Sequence, residues 1–85
     1  MGNIYTKNLE RYTFEEVTKH NKNNDIWIII DGYVYDFSRF NHPGGQSSII
    51  KLYGSDASKV FHTIALHSNR HKKKIKEYII GKLID

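Results

Sequence analysis

A short apolar segment, followed at once by a tight-turn dipeptide, constrains the fold of this chain more than any other feature. Residues 26–30 read Ile-Trp-Ile-Ile-Ile, a continuous and mostly β-branched run that predicts a strand buried on both faces. Asp31-Gly32 is typical of a two-residue hairpin turn. The alternating residues 33–37 then predict the returning strand. We therefore expect a β-hairpin in the first half of the chain.

Helix signals surround this hairpin. Thr13 and Glu16 form a capping box that predicts a short helix over residues 14–20, and a loop is expected at 21–25. Beyond the hairpin, a helix is predicted at 47–53. A second helix is predicted to be capped by Ser55, with its body at 57–61 and a turn back within 62–67. A third helix at 69–78 and a closing strand at 79–83 complete the predicted elements. The predicted fold class is α+β, a small sheet with helical hairpins.

Length and composition limit the chemistry that this chain can perform. Its 85 residues suggest one domain, and a bound cofactor would help to stabilise so small a core. The absence of cysteine excludes disulfides, thiolate nucleophiles, cysteine-ligated metals and covalent haem attachment. With no apolar run near the ~20 residues of a membrane span and no signal-peptide core, we expect a soluble, cytoplasmic protein.

Two histidines are the candidate metal ligands. His42 stands in His42-Pro43-Gly44-Gly45, where proline and glycine break regular structure and let the imidazole project from a tight turn. His67 follows at a distance that one haem iron could bridge. Two neutral imidazoles can hold an iron from opposite faces. Such an iron keeps no open position and tends to pass electrons rather than bind a substrate.

Apolar residues close to both histidines are suited to pack against a porphyrin. A haem pocket needs apolar walls and polar groups at its rim for the propionates. The candidates near the two histidines are Phe37, Phe40, Ile49, Leu52, Phe61, Ile64 and Leu66. Residues in such a pattern are more often plain core, and here they would serve as both.

Taken together, these motifs resemble a cytochrome b5 domain from Tyr12 to Leu83. The matching pieces, in chain order, are the helix start and Trp-bearing strand, Asp31-Gly32-Tyr33-Val34-Tyr35-Asp36-Phe37, His42-Pro43-Gly44-Gly45, Gly54-Ser55-Asp56-Ala57-Ser58, His67-Ser68 and Tyr78-Ile79-Ile80-Gly81. The resemblance implies a cytochrome b5-like fold with a haem pocket. It also implies that residues 12–85 form the haem-binding domain and that residues 1–11 form a separate N-terminal segment.

The resemblance assigns roles to individual residues. His42 and His67 would be the axial ligands of a non-covalent haem b (iron protoporphyrin IX), and Ser68 would hydrogen-bond a propionate. Asp56 would cap or brace a helix rather than act as an acid. The function implied is one-electron transfer, without catalysis by the chain itself. The donor would be a flavin-dependent reductase and the acceptor a haem or non-haem iron enzyme such as an oxidase, desaturase or hydroxylase.

The chain departs from the family pattern near the second ligand. The stretch between Gly45 and His67 is one residue longer than is common, and it contains His62 at a position where the family usually has an acidic residue. His62 is therefore a rival for the second ligand position. The Ser68 that follows His67, and the spacing from His67 to Ile79-Ile80-Gly81, favour His67.

Charge and the N-terminus suggest the partners. The net charge is +4, with a basic cluster at residues 70–76, which favours an acidic partner surface rather than a basic one. Residues 1–6 fit an N-myristoylation motif, so peripheral membrane contact is expected only if Gly2 is acylated.

Other functions stay open on these residues. They are a basic module that binds nucleic acid or an anionic membrane, a haem or ligand sensor on the same fold, and a hydrolytic metal site. No specific nucleic-acid recognition motif and no His-Glu-x-x-His spacing supports the first or the last.

Overall fold

A computed structural model describes residues 9–22, 24–39, 50–65 and 73–84, with the backbone alone for 50, 64 and 65. In chain order, the elements are β1 (Glu10–Tyr12), α1 (Phe14–Thr18), β2 (Asn21–Lys22), β3 (Asp25–Ile30), β4 (Tyr33–Asp36), a 3₁₀ helix (Ile50–Leu52), α2 (Ser58–Ala65), a second 3₁₀ helix (Lys76–Tyr78) and β5 (Ile79–Leu83). The strands form a mixed sheet in the order β1-β5-β4-β3-β2, in which β1 and β5 pair in parallel and the other neighbouring strands pair antiparallel. The predicted α+β class is confirmed.

The predicted hairpin is present with the expected turn. Ile30 pairs with Tyr33, which leaves Asp31 and Gly32 as the two turn residues. Both have positive φ, 53° at Asp31 and 84° at Gly32, as a type I′ turn requires. This turn matches the twist of the flanking strands and fixes their register.

The hairpin has a packed core on each face, as the continuous apolar run predicts. Ile26, Ile28 and Ile30 of β3 belong to one buried cluster, which we call the first cluster. Ile29, between them, belongs with Val17 and Val34 to a second cluster on the opposite face. A strand with core on both sides therefore separates the two clusters.

Helix α1 begins as predicted and ends earlier. Thr13 Oγ1 accepts the backbone N–H of Glu16 at 3.1 Å, and the Glu16 carboxylate accepts the N–H of Thr13 at 2.9 Å. This confirms the capping box. The helix ends at Thr18 rather than at His20, because the carbonyl of His20 accepts the N–H of Trp27 in the sheet at 2.9 Å. The predicted loop then contains the short strand β2, which pairs with β3.

The segment before α2 pairs with the sheet, which shifts the helix along the chain. The N–H of Ile29 donates to Ser55 O at 2.9 Å, and the N–H of Ala57 donates to Ile29 O at 2.8 Å. Residues 55–57 thus run beside β3, and α2 begins at Ser58 and extends to Ala65. The predicted helix body at 57–61 therefore starts one residue too early and ends four residues too early, while the turn back predicted within 62–67 would follow Ala65, outside the described residues.

Strands β1 and β5 pair in parallel at one edge of the sheet. Glu10 pairs with Gly81 and Tyr12 with Leu83, so β1 covers the edge of β5. Strand β1 was not predicted from the sequence, whereas the closing strand at 79–83 is confirmed. Among the helices in the described part of the chain, none is long and apolar enough to span a membrane.

Candidate haem-binding site

One face of the sheet collects the described apolar residues of the predicted pocket. The first cluster consists of Ile26, Ile28, Ile30, Tyr35, Phe37, Tyr53, Ala57 and Ile75. Leu52 and Phe61 are partly buried against it. Phe37, Leu52 and Phe61, which are far apart in sequence, therefore lie on the same apolar surface, and each comes from a different segment of the chain.

Phe37 is the most firmly held of these three. Its side chain is 6% exposed, and its ring centroid lies 5.6 Å from those of both Tyr35 and Tyr78. Its N–H donates to Ile26 O at 2.8 Å, so the residue extends the pairing of the hairpin. An aromatic ring held from the backbone and from two sides forms a rigid wall.

The remaining predicted site residues lie largely outside the described residues. These are His42, His67, Phe40, Ile49, Leu66 and Ser68. Ile64 is in α2 by its backbone, and its side chain is not among those described. The ligand assignment to His42 and His67 therefore stays a prediction.

Asp56 braces the start of α2, as the resemblance implied. Its Oδ1 accepts the backbone N–H of Ser58 at 2.9 Å and the Ser58 hydroxyl at 2.6 Å. Ser55 does not cap this helix, because its hydroxyl donates to Leu52 O at 2.8 Å. The predicted N-cap at Ser55 was wrong, since the chain stays paired with β3 through Ala57 and turns into the helix only afterwards.

His62, the rival ligand, is bonded to the hairpin turn. Its Nε2 lies 2.8 Å from both carboxylate oxygens of Asp31, and the two side chains are about half exposed, at 50% and 56%. A carboxylate only accepts hydrogen bonds, so Nε2 carries the hydrogen and donates it. An Nε2 that donates to Asp31 has no lone pair for a metal.

The roles of two residues were missed in the sequence. Asp31 was assigned to a turn alone, although it also bonds His62. Ile75 is buried, with 6% exposure, within a run of lysines. An apolar residue among Lys72, Lys73, Lys74 and Lys76 is the signal that could have identified it as the inward face of the helix.

Electrostatics differ between the interior and the rim. Burial, followed by the nearby Asp31 and Tyr33, raises the pKa of Tyr35 to about 12. Outside this core, Lys51, Lys59, Lys73, Lys74 and Lys76 are exposed. Each lies within two residues of an apolar side chain that packs on or in the first cluster. In the described ranges, both ion pairs join a histidine to an aspartate, so none of these lysines is paired with a carboxylate.

The described residues suit a porphyrin. Those that form or border the first cluster are aromatic or aliphatic, and no buried side chain in the described part of the chain is polar or charged. A macrocycle with a large apolar face packs well on such a surface, and histidine imidazole is a common protein ligand of haem iron. Within the same described ranges, no three His, Asp or Glu side chains come together to hold a bare metal ion.

Comparison with known proteins agrees with this arrangement. Residues 13–84 match the family model of the cytochrome b5-like heme/steroid binding domain. The NADH nitrate reductase of Cucurbita maxima is 47% identical over 75 residues, which are 86% of this chain and 8% of that enzyme. Acyl-lipid (8-3)-desaturase B of Dictyostelium discoideum is 40% identical over 82 residues, 94% of this chain and 18% of the desaturase.

A solved structure shows the same fold. Cytochrome b558 of Ectothiorhodospira vacuolata, described as a prokaryotic homologue of cytochrome b5, superposes with a TM-score of 0.80 at 29% identity, over 88% of this chain and 99% of that one. The chain therefore belongs to the cytochrome b5-like heme/steroid binding domain family. Its cofactor is haem b, and in general terms it is a haem-binding electron-transfer module.

Proposed function

We propose that this chain is a one-electron carrier whose haem b is held non-covalently by His42 and His67. The observation that carries the proposal is the meeting of Phe37, Leu52 and Phe61 on one apolar cluster. These side chains would pack against the porphyrin, exclude water from it and hold it between the sheet and α2. When bound, the haem supplies an iron that accepts and releases one electron. Ser68 would hold a propionate at the rim.

The position of His62 supports His67 as the second ligand. His62 lies on α2 with its Nε2 bonded to the half-exposed carboxylate of Asp31 in the hairpin turn. To ligate iron through that nitrogen, it would have to give up two contacts of 2.8 Å. His67 is the other histidine between the Gly-Gly turn and Ser68, so it takes the role by sequence register.

We propose that the chain itself performs no catalysis. Ligation by His42 and His67 would leave no position at the iron for a substrate, and the residues around the haem would serve to retain it and to set its exposure. We propose that residues 12–85 are the haem-binding domain, that residues 1–11 precede it, and that the domain works in the cytoplasm. Membrane contact would arise only through acylation of Gly2.

The proposed redox partners are based on the relatives of this chain and on its distribution of charge. This chain spans 18% of the desaturase and 8% of the nitrate reductase, so in those proteins the matching domain is one part of a larger chain. We propose a flavin-dependent reductase as donor and a haem or non-haem iron enzyme as acceptor. Residues 1–39 carry five basic and six acidic side chains, whereas 40–85 carry eight basic and three acidic. The half that bears the predicted ligands is therefore basic, and it suits an acidic partner surface.

Visible spectroscopy of the chain mixed with haemin tests the ligand assignment. We expect uptake of one haem per chain and a low-spin spectrum with sharp, separate α and β bands on reduction. His42→Ala and His67→Ala should each lose this spectrum, while His62→Ala should keep it. Loss of the low-spin spectrum in His62→Ala, together with its retention in His67→Ala, would reverse the assignment. A chain that takes up no haemin would refute the function.

A further inference from the structure

The hairpin turn bonds two residues of α2 through one aspartate. The backbone N–H of Asp31 donates to Ser58 Oγ at 2.7 Å, and the Asp31 carboxylate accepts from His62 Nε2 at 2.8 Å. Ser58 in turn donates its hydroxyl hydrogen to Asp56 at 2.6 Å. Asp31 is thus joined to both ends of a single helical turn, at a sequence separation of 27 and 31 residues.

These bonds continue a line of contacts along the edge of β3. Gly54 donates to Trp27 O at 2.7 Å, and residues 55–57 exchange two further backbone bonds with Ile29. The Asp31 bonds follow directly after them. Hydrogen bonds therefore join the segment that leads into α2, and the start of α2 itself, to β3 and its turn from Trp27 to Asp31. The bonds to Trp27 and Ile29 are between backbone groups, and those to Asp31 involve the side chains of Ser58 and His62.

The two bonded residues define one face of α2. Ser58 and His62 are four residues apart, so they lie on the same side of the helix. Phe61 lies about 100° around the helix axis from His62 and packs against the first cluster. A bond on the Ser58–His62 face therefore resists rotation of α2 about its own axis, and such a rotation would move Phe61 away from the pocket.

The turn position does not itself require an aspartate. Asp31 has φ 53°, where asparagine and glycine are equally at home. What aspartate adds is an acceptor with two oxygens, and both lie within reach of His62. The pairing therefore depends on the particular residues at positions 31 and 62, an aspartate in the turn and a histidine on α2.

We infer that Asp31 is a positioning residue for the haem pocket, acting through His62 to fix the orientation of α2 and of the wall that Phe61 forms. The inference rests on the proposed function. Its consequence is slower loss of haem, since the wall opens less often when α2 is held at both ends of its first turn.

The test is the rate at which the haem-loaded chain gives up haem to excess apomyoglobin. Asp31→Gly, which suits the positive φ, and His62→Ala should each accelerate the loss by about two- to five-fold, the range expected for a half-exposed pair. The double variant should be no faster than either single one, because both remove the same bond. Asp31→Asn, which retains an acceptor and the turn, should restore most of the retention.

His20→Ala is the matched control. It removes the second histidine–aspartate pair, His20–Asp25 at 2.7 Å. The His20 ring stacks on Trp27, which packs against the second cluster on the opposite face of the sheet. We expect this variant to lower the free energy of unfolding while leaving the rate of haem loss unchanged. If Asp31 only stabilised the fold, His20→Ala would accelerate haem loss as much as the variants at Asp31 and His62 do.

The outcomes separate the two claims. A chain that binds no haemin contradicts the proposed function, and the inference falls with it. A chain that binds haemin but loses it equally fast in all variants contradicts the inference alone. Additive effects in the double variant, or no restoration by Asp31→Asn, also contradict it. In the unchanged chain, ¹⁵N NMR should find the hydrogen of the His62 ring on Nε2, and a neutral ring protonated on Nδ1 would refute the bond.

Discussion

Because the Tyr35 side chain is buried, its ionisation is expected to lower the stability of the fold at alkaline pH. Its side chain is 6% exposed, and burial, with Asp31 and Tyr33 as smaller causes, raises its pKa from 10.0 to about 12. The folded state therefore binds this proton more tightly than the unfolded state does. The contribution to stability is complete below pH 10 and is lost as the pH rises through about 12.

We expect the free energy of unfolding to fall by on the order of 2–3 kcal/mol across that interval because of this one group. Urea titrations from about pH 9 upward would measure it. Tyr35→Phe is the control, since it retains the ring and removes the proton. If the free energy of unfolding falls equally with pH in the wild-type chain and in Tyr35→Phe, deprotonation of Tyr35 does not cause the loss of stability at alkaline pH.

At the residue scale, local contacts were predictable and distant ones were not. The capping box joins residues three apart, and the Asp31-Gly32 turn needs only its own backbone, so both could be read from the sequence. The bond between His62 and Asp31 spans 31 residues and depends on how α2 meets the hairpin. No pattern in the sequence indicates how α2 packs against the hairpin.

At the element scale, β1 and β5 depend on a glycine. A Cβ added at Gly81 would lie 2.5 Å from Tyr12 Cε2 and 2.8 Å from the backbone oxygen of Glu10. Such distances are far inside van der Waals contact. The absence of a side chain at Gly81 thus allows β1 to lie against β5 and lets the ring of Tyr12 cover the position.

Gly81→Ala should destabilise the fold by about 1–3 kcal/mol, because the Tyr12 ring can shift but the backbone of β1 must move as well. Urea unfolding of the purified chain would measure the loss. Lys82→Ala, at the exposed neighbouring position, should stay within about 0.5 kcal/mol of the unchanged chain. Equal stability of all three proteins would show that the contact between β1 and β5 is loose.

Pairing with the sheet also accounts for the helix boundaries that differ from the prediction. Ser55 resembles an N-cap by residue type, but β3 takes residues 55–57 as pairing partners first. The strand β1 has three residues and no apolar alternation, so it exists only because β5 offers an unpaired edge. In both places tertiary pairing decides the element, and the local sequence has little influence.

At the scale of the whole molecule, charge is divided between the two halves of the chain. The basic half contains the exposed Lys51 and Lys59 and the run Lys73, Lys74 and Lys76, while residues 1–39 are slightly acidic. Opposite charge on a partner accelerates encounter, and salt screens that attraction. The distribution predicts an orientation in which the half with the predicted haem ligands faces the partner.

Electron transfer to an acidic redox protein should therefore slow as ionic strength rises. Stopped-flow rates between about 0.01 and 0.5 M salt would show the dependence, over which the Debye length falls from about 30 Å to a few ångströms. Changing Lys73, Lys74 and Lys76 to Gln should flatten the dependence, whereas changing Lys19 and Lys22 to Gln should leave it unchanged. Faster reaction with a basic partner would contradict the proposed surface. Binding of the haem-loaded chain to anionic vesicles, without any such salt effect on the protein partner, would assign the lysines to a membrane instead.

If His42 and His67 both ligate the haem iron, no position at the iron is left for an added ligand. Carbon monoxide reveals whether a position is open, because it binds reduced haem iron only there. We expect the visible spectrum of the reduced, haem-loaded wild-type chain to stay the same under carbon monoxide, and His67→Ala to form a carbon monoxide complex. A carbon monoxide complex of the wild-type chain would refute ligation by both histidines.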